Sequence, residues 1–228
     1  MLVAIPNLLT PQQVAYARQK LDAAANWIDG AATAGVLAKQ VKRNRQIDQS
    51  HHVGQEIGQM ILKALASNGT FMSAAQPVKV LPPKFNRYEG GEHYGAHIDN
   101  AVMDIPASGG VRLRADLSMT VFFSEPGEYD GGELRVLDTY GHQAIKLPAG
   151  HAILYTATSL HEVTPVTRGI RTSSFFWIQS MIRDDGRRSM LYELGEVIHS
   201  LAATHPDHPS LAGFLGHYHK LLQRWTDV

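Results

Sequence analysis

The sequence has 228 residues, of which 44% are hydrophobic and 18% charged, and this length suits one core domain with appended segments. Lysine plus arginine (21) equals aspartate plus glutamate (21), so no overall field would attract nucleic acid or an anionic membrane, and neither partner is expected. Cysteine is absent, which excludes disulfide bonds and thiolate metal sites and leaves histidine and carboxylate side chains as metal ligands.

The chain is predicted to begin with a short irregular segment and a helix. The first apolar stretch is interrupted by Pro6 and has no basic region before it, so it predicts neither a signal peptide nor a membrane span. We therefore expect a cytoplasmic protein. Thr10, Pro11 and Gln13 form the pattern of a helix start with a capping box, and the alanine-rich run after them extends this helix to about Ala25.

Residues 27–50 follow without clear periodicity and are predicted to be mostly loop. A basic cluster in this segment is most simply explained as a solvated face, with contact to a substrate as the alternative. A second amphipathic helix is predicted from His52 to about Ala66, where apolar residues recur at helical spacing. Residues 1–77 are thus expected to form a helical support region. The basic cluster consists of Lys39, Lys42, Arg43 and Arg45.

Residues 78–179 have a different pattern, in which short β-rich runs alternate with glycine, proline and aspartate. This pattern is typical of an all-β sandwich or barrel. The runs are too closely spaced for crossover helices, so the strands should pair mainly antiparallel. The clearest predicted strands are Val78–Leu81, Lys84–Glu89, Asp116–Phe123, Glu133–Leu137, His151–Tyr155 and Thr172–Ile178.

Residues 180–228 return to helical periodicity and are predicted to form a C-terminal helical region of two helices, the second ending near Trp225. The apolar face of this region could cover the barrel or form a homodimer contact. The first helix places five apolar residues on one face: Met190, Leu194, Val197, Ile198 and Leu201.

A metal site is predicted from histidine and aspartate spacing. His97 and Asp99 lie two residues apart on a predicted strand that closes a hairpin, so an imidazole and a carboxylate can reach one ion from the same face. A facial triad needs a third ligand from another strand, and His161, after a predicted strand and loop, fits that role. Two histidines and one carboxylate leave three coordination positions open, the arrangement of non-heme Fe(II) oxygenases. The same spacing in His205 and Asp207 lies between prolines among helices and predicts a structural role.

Arg171 lies ten residues beyond His161, on the same face of the next predicted strand as Ser173 and Phe175. A guanidinium in an otherwise apolar strand needs a partner, and its planar fork matches a carboxylate. Without the triad we would expect an ion pair with an acidic side chain; with the triad, a carboxylate ligand is favoured. The competing third ligands have no arginine at a matching interval and are predicted to be hydrogen-bonded or surface histidines: His93, His142 and His151.

The motifs between Phe85 and Gln179 resemble those of a known family. Their ordered set is similar to the prolyl-4-hydroxylase-like branch of the iron(II)- and 2-oxoglutarate-dependent oxygenases, and the whole chain resembles the bacterial PKHD-type hydroxylases. The resemblance implies an α+β fold with a mainly β core, a double-stranded β-helix (jelly-roll) flanked by N-terminal and C-terminal helices. The motifs are N-R-Y-E-G-G-E-H-Y-G-A-H-I-D, L-S-M-T-V-F-F-S-E, Y-D-G-G-E-L, L-P-A-G-H-A-I-L-Y and L-H-E-V-T-P-V-T-R-G-I-R-T-S.

The resemblance also implies an activity and its cofactors. Fe(2+) would bind His97, Asp99 and His161, and the C5 carboxylate of 2-oxoglutarate would bind Arg171. The expected reaction is hydroxylation of a small-molecule or peptide substrate by O2, with release of succinate and carbon dioxide. L-ascorbate is the expected reductant, which would return iron to Fe(2+) after it has been oxidised to Fe(III) without hydroxylation of a substrate.

One position departs from the family pattern, because several relatives have tyrosine where this chain has Phe122 and Phe123. A hydroxyl group that assists Arg171 would then come from Tyr88, Ser173 or Thr172, although Tyr88 could equally be a core aromatic residue.

Two other functions remain open from the residues alone. A metal hydrolase could use the same three ligands around zinc with an activated water, and a jelly-roll binding module could hold a structural ion there. The presence of Arg171 at its spacing argues against both.

Overall fold

Two antiparallel β-sheets pack against each other in the computed structural model, which describes residues 1–24, 27–33, 38–106, 108–138 and 141–227. Most of the chain between residues 77 and 180 is strand, and helices lie on either side of it in the sequence. The strands are β1 (Leu2–Ile5), β2 (Trp27–Asp29), β3 (Lys42–Arg43), β4 (Arg45–Ile47), β5 (Pro77–Val80), β6 (Lys84–Glu89), β7 (His93–His97), β8 (Val102–Asp104), β9 (Arg112–Arg114), β10 (Leu117–Phe122), β11 (Tyr129–Gly131), β12 (Leu134–Asp138), β13 (Gly141–Ile145), β14 (Ala152–Thr156), β15 (His161–Val163) and β16 (Val166–Ser180). The helices are α1 (Pro11–Ala23), α2 (Ala38–Val41), α3 (His52–Ala66), α4 (Gly69–Ala75), α5 (Asp185–Thr204) and α6 (Leu211–Trp225), with single 3₁₀ turns at Gly30–Thr33 and Pro126–Glu128.

The larger sheet has the strand order β1-β14-β10-β16-β6-β4-β2, and β5 and β11 pair with other stretches of the long strand β16. The smaller sheet has the order β13-β12-β15-β7-β3, and β8 and β9 form a separate two-stranded ribbon. Every pairing among the described strands is antiparallel, which confirms the predicted pairing mode.

The predicted elements are confirmed where their signal was local. Helix α1 starts with the predicted capping box, since Thr10 Oγ1 accepts from the Gln13 backbone and the Gln13 side chain accepts from the Thr10 backbone. It ends at Ala23, and its predicted end at Ala25 lies outside the described residues. Helix α3 and strand β6 have the predicted bounds, and α5 and α6 form the predicted C-terminal pair. Helix α4 was not predicted; Asn68 caps it by accepting from the Phe71 backbone at 2.8 Å.

The prediction that residues 27–50 are mostly loop is wrong for the strands in this segment. Strand β4 pairs with β6 in the larger sheet, and the two-residue strand β3 pairs with β7 in the smaller sheet. Such short strands show no periodicity of their own, because their conformation is set by the partner strands. This segment therefore extends both sheets, beyond β6 in the larger sheet and beyond β7 in the smaller one.

Strand β10 shows how the two cores divide. Its residues Leu117, Met119 and Val121 belong to the core between the larger sheet and helices α1, α3 and α4, whereas Phe122 belongs to a second core between the two sheets. Ser118 and Thr120 alternate with the apolar set and line the space between the sheets. The helices thus cover one face of the larger sheet, and the other face is left for a site. None of the helices in the described ranges combines the length and apolar composition needed to cross a membrane.

Candidate active site

His97 and Asp99 converge, although not through the predicted strand geometry. Strand β7 ends at His97, so Asp99 lies in the irregular segment beyond it. The predicted hairpin is also absent, because β6 and β7 belong to different sheets and the chain crosses between them at Gly90 and Gly91, both with positive φ. The side chains nevertheless meet, with His97 Nε2 3.8 Å from Asp99 Oδ1.

His161 is brought to the same point by the smaller sheet. It begins β15 and lies opposite His97 in the antiparallel register, and its Nε2 lies 3.8 Å from Asp99 Oδ2. One potential ligand atom from each of the three side chains lies within 4.8 Å of the others. All three side chains are at least nine-tenths buried. The predicted third ligand therefore comes from a neighbouring strand, as a facial triad requires.

The histidine rings are held in the orientation that suits metal ligands. His97 Nδ1 lies 2.8 Å from the Gly95 carbonyl oxygen, and His161 Nδ1 lies 3.0 Å from that of Ser159. A proton on Nδ1 satisfies each carbonyl and leaves the Nε2 lone pair facing Asp99. Burial, and then the neighbouring His161, lower the pKa of His97 to about 4, so its ring is neutral at physiological pH. This donor set fits Fe(2+).

The other histidine candidates lie elsewhere. Among the described residues, no other group of three or more histidine or acidic side chains lies close enough to share an ion. His205 and Asp207 are exposed in the turn after α5, and His205 Nδ1 contacts Thr204 Oγ1 at 3.0 Å. His93 bonds to the Gly91 carbonyl through Nδ1, and His142 is exposed on β13.

Arg171 lies on β16 in the space between the sheets and is only 1% exposed. Its Nη1 donates to Ser173 Oγ at 2.6 Å, and Ser173 Oγ donates in turn to Asn86 Oδ1. Among the residues that the structure describes, its Nε has no hydrogen-bond partner and no acidic side chain forms a salt bridge with it. A buried guanidinium without an acidic partner suits an anionic ligand.

Two features beside Arg171 were not identified from the sequence. Tyr129 is fully buried, and its hydroxyl group forms no hydrogen bond of good geometry with a described residue, although it lies within reach of the Arg171 guanidinium. Gly132 has a φ of +61°, and a Cβ atom there would lie 3.0 Å from Arg171 Cδ and 2.9 Å from the Tyr129 ring. The signal was the Y-D-G-G sequence, which predicted only a turn. Together, the unpaired polar atoms and the glycine leave room beside the guanidinium for a carboxylate.

The predicted hydroxyl groups take different positions. Ser173 contacts Arg171 directly, as described above, whereas Thr172 is on the other face of β16, where its backbone donates to Ser124 Oγ at 2.9 Å. The Tyr88 hydroxyl accepts from Asn86 Nδ2 at 3.2 Å. The Arg171 guanidinium carbon lies 5.3 Å from the ring centres of both Tyr88 and Phe122. Phe122 thus packs on the arginine without a hydroxyl.

One elongated cavity contains the triad, Arg171 and both predicted helpers, Tyr88 and Ser173. The β16 residues that line it run from Arg171 to Trp177, a distance of roughly 20 Å at about 3.3 Å per residue. The predicted solvated face is wrong for one member of the basic cluster: Lys42 is 5% exposed and lines this cavity. The other three members are exposed, as predicted.

Comparisons with known proteins agree with this geometry. Residues 83–179 match the family model of the 2OG-Fe(II) oxygenase superfamily, and residues 185–227 match that of the PKHD-type hydroxylase C-terminal domain. The chain is 56% identical over 227 residues to the PKHD-type hydroxylase HEAR3399 of Herminiimonas arsenicoxydans, with 100% of both chains covered. It is 53% identical over 229 residues to a PKHD-type hydroxylase of Cupriavidus metallidurans, again with 100% of both covered.

A similar fold is found in a solved structure. The prolyl-4-hydroxylase of Pseudomonas putida superposes with a TM-score of 0.53 at 17% identity, covering 78% of this chain and 92% of that one. At this identity the likeness concerns the fold, and it confirms the predicted double-stranded β-helix with flanking helices.

Proposed function

The chain belongs to the PKHD-type hydroxylase family of 2OG-Fe(II) oxygenases, and from this premise we propose that His97, Asp99 and His161 hold the iron while Arg171 holds the C5 carboxylate of 2-oxoglutarate. The protein is an Fe(2+)- and 2-oxoglutarate-dependent oxygenase that hydroxylates its substrate with O2. The observation that carries the residue assignment is the presence of the buried triad and of an arginine without an acidic partner in one cavity.

When bound, iron would activate O2, the oxidant, with two electrons from 2-oxoglutarate, which would leave as succinate and carbon dioxide. The chain's own residues hold the geometry. The backbone carbonyls of Gly95 and Ser159 fix the two imidazoles with Nε2 turned towards Asp99, and the Ser118 hydroxyl donates to Asp99 Oδ2 at 2.6 Å. Burial keeps both rings and the carboxylate away from water.

We propose that Arg171 binds the cosubstrate through the donors that Ser173 does not occupy. The chain from Asn86 through Ser173 to Nη1 fixes the plane of the guanidinium, which leaves Nε available to a carboxylate oxygen. The Tyr129 hydroxyl is the second donor that we assign to this carboxylate. Tyr88 forms a wall of the same pocket with its ring, and its hydroxyl is engaged by Asn86.

Anaerobic absorption spectroscopy tests the assignment. Fe(II) and 2-oxoglutarate added together to the oxygen-free parent protein should produce a visible charge-transfer band, which neither a zinc hydrolase nor a binding module with a structural ion predicts. Asp99→Ala should abolish the band and the decarboxylation of 2-oxoglutarate. Asp207→Ala, in the exposed pair of the same spacing, is the matched control and should retain both. Full decarboxylation by Asp99→Ala would contradict the metal assignment.

We propose three regions: a support region (residues 1–77), a catalytic core (78–179) and a C-terminal helical region (180–228). The matched ranges of the two family models, 83–179 and 185–227, support the last two of these regions. The support region is not independent of the core, because β1, β2 and β4 extend the larger sheet and β3 extends the smaller one.

We also propose a small-molecule or peptide substrate, L-ascorbate as the reductant of oxidised iron, and a cytoplasmic location, where 2-oxoglutarate is produced. The balanced charge supports the absence of nucleic acid and membrane partners.

A homodimer through α5 and α6 is supported by the exposed side chains of Met190, Val197, Phe214 and Leu215. Light scattering after size-exclusion chromatography tests it, and a monomer at all concentrations would contradict it.

A further inference from the structure

Two lysine side chains lie in the active-site cavity on opposite sheets. Lys42 is on β3 of the smaller sheet and Lys84 is on β6 of the larger sheet, and both line the cavity that holds the triad. Lys42 Nζ lies 5.1 Å from the ring centre of Tyr94 and 5.7 Å from that of Phe175. Lys84 Nζ lies 5.5 Å from the ring centre of Trp177. Two cations and an aromatic platform therefore share one end of the cavity.

The electrostatics of this end favour an anion. Burial, and then repulsion by Lys84, lower the pKa of Lys42 to about 8, with partial compensation from Asp99 and Asp29. Burial also lowers the pKa of Lys84, which forms no salt bridge with any acidic side chain in the described ranges. An anion between the two ammonium groups would offset both the burial cost and their repulsion.

The register of the larger sheet separates this end from the proposed cosubstrate carboxylate. Lys84 lies opposite Phe175, whereas Tyr88 lies opposite Arg171, four residues away along each strand, which corresponds to roughly 13 Å. The lysine end is instead close to the triad, because Ser118 contacts Asp99 and is also the register partner of Trp177. A group bound there would lie on the substrate side of the metal ligands.

We propose that the substrate of this oxygenase carries a compact oxyanion, a carboxylate or a phosphate, which binds between the ammonium groups of Lys42 and Lys84. An apolar part of the same substrate packs against Trp177, Phe175 and Met103 at this end of the cavity. The inference rests on the proposed function of the triad and Arg171, because it assigns to the substrate the part of the cavity that iron and 2-oxoglutarate would leave open.

The test uses probes that share a phenyl ring and differ in the charge of the head group. The protein is loaded with Zn(II), which is redox-inactive, and saturated with 2-oxoglutarate so that Arg171 is occupied. Binding of benzoate, benzamide, benzamidinium and phenyl phosphate is then measured by ligand-observed NMR. Benzoate or phenyl phosphate should bind at least about tenfold more tightly than benzamide, and benzamidinium should not bind. The preferred anion identifies the oxyanion as carboxylate or phosphate.

Matched variants locate the binding. Lys42→Met and Lys84→Met keep the unbranched stem but remove the charge, and each should weaken the preferred anion by about tenfold or more. Lys84→Arg should retain most of the affinity. Lys63→Met, on the exposed face of α3, is the control and should bind like the parent. A thermal melt of each variant shows whether it is folded.

The inference is overturned if neither anion binds the parent, if benzamide binds equally well, or if both folded lysine variants bind like the parent. A parent that binds no 2-oxoglutarate in a parallel titration contradicts the proposed function instead. The two failures are therefore distinguishable.

Discussion

Ser118 on β10 donates a hydrogen bond of 2.6 Å to Asp99, a residue 19 positions earlier in the chain that no regular strand holds in place. The bond links the least supported member of the triad to a central strand of the larger sheet, between β14 and β16. It occupies one lone pair of the carboxylate and restricts its rotation. The position of Asp99 is therefore set by the larger sheet, whereas the two histidines belong to the smaller one.

Ser118→Ala should weaken metal binding without unfolding the protein, because it frees the carboxylate but removes no ligand. Loss of such an outer hydrogen bond typically costs about 10–100-fold in metal affinity. Competition with a chelator under inert gas, using Mn(II), measures this effect. Ser67→Ala, on the exposed end of α3, is the control. A Ser118→Ala protein with the parent's affinity would show that the bond does not position Asp99.

Arg171→Gln should separate the affinities for metal and cosubstrate. The triad keeps all its ligands, so Mn(II) binding should remain, whereas loss of one partner of a buried charge pair costs about 3–5 kcal/mol, or roughly a hundredfold or more. Arg171→Lys should recover only part of the affinity for 2-oxoglutarate, since an ammonium group lacks the planar fork of a guanidinium. Calorimetric titration of 2-oxoglutarate into the Mn(II) protein measures both variants.

The control for that experiment is Arg168→Gln on the same strand, where the arginine is exposed and pairs with Asp130 at 2.7 Å. It should bind 2-oxoglutarate like the parent. If a folded Arg171→Gln protein does the same, the cosubstrate assignment fails.

Gly132→Ala should also reduce 2-oxoglutarate affinity, although no ligand-binding side chain is removed. The added Cβ atom would lie 2.8 Å from Val166 Cγ2, 2.9 Å from Tyr129 Cε2 and 3.0 Å from Arg171 Cδ, so the side chains that form the proposed cosubstrate pocket must shift. Gly109→Ala is the control, because its φ of +71° imposes a similar backbone strain while its Cβ would meet no atom within 4 Å. Equal losses in the two variants would mean that backbone strain alone is responsible.

Loss of the proton from Lys42 should raise the free energy of unfolding as the pH becomes alkaline. Its pKa is about 8 in the folded protein against its ordinary value of 10.5, so between these values the unfolded chain binds the extra proton. The cost of holding the buried ammonium is present in full below pH 8 and disappears as the pH approaches 10.5. Urea midpoints of the parent should therefore rise relative to those of Lys42→Met from pH 8 to pH 10. A constant difference would contradict this.

The sequence predicted features whose signal lies within a few residues. The bounds of β6 and α3 follow from local periodicity, and the triad and Arg171 were identified by residue type and spacing. The approach of the two histidines is a consequence of strand pairing in the smaller sheet, which brings His161 opposite His97. Their roles in binding iron and 2-oxoglutarate remain predictions.

The features that were missed depend on distant partners. Lys42 belongs to a strand of two residues that exists only through its pairing with β7, so its burial has no local signal. The carboxylate of Asp99 was expected on a strand because its spacing from His97 fits one, but the chain leaves the sheet at His97. Ser118 had a usable signal, since it and Thr120 are polar at alternate positions of an otherwise apolar strand.

Strand β16 fixes the distance between Arg171 and Trp177 in the active-site cavity. Arg171 and Trp177 stand on the same face of one continuous strand, six positions apart. Because side chains alternate, deletion or insertion of a single residue between them would turn one of the two out of the cavity. The distance from the proposed cosubstrate site at Arg171 to the proposed substrate site at Trp177 can therefore change only in steps of two residues, or roughly 7 Å, unless a bulge absorbs the odd residue. The fold thus restricts this family member to discrete lengths of substrate pocket.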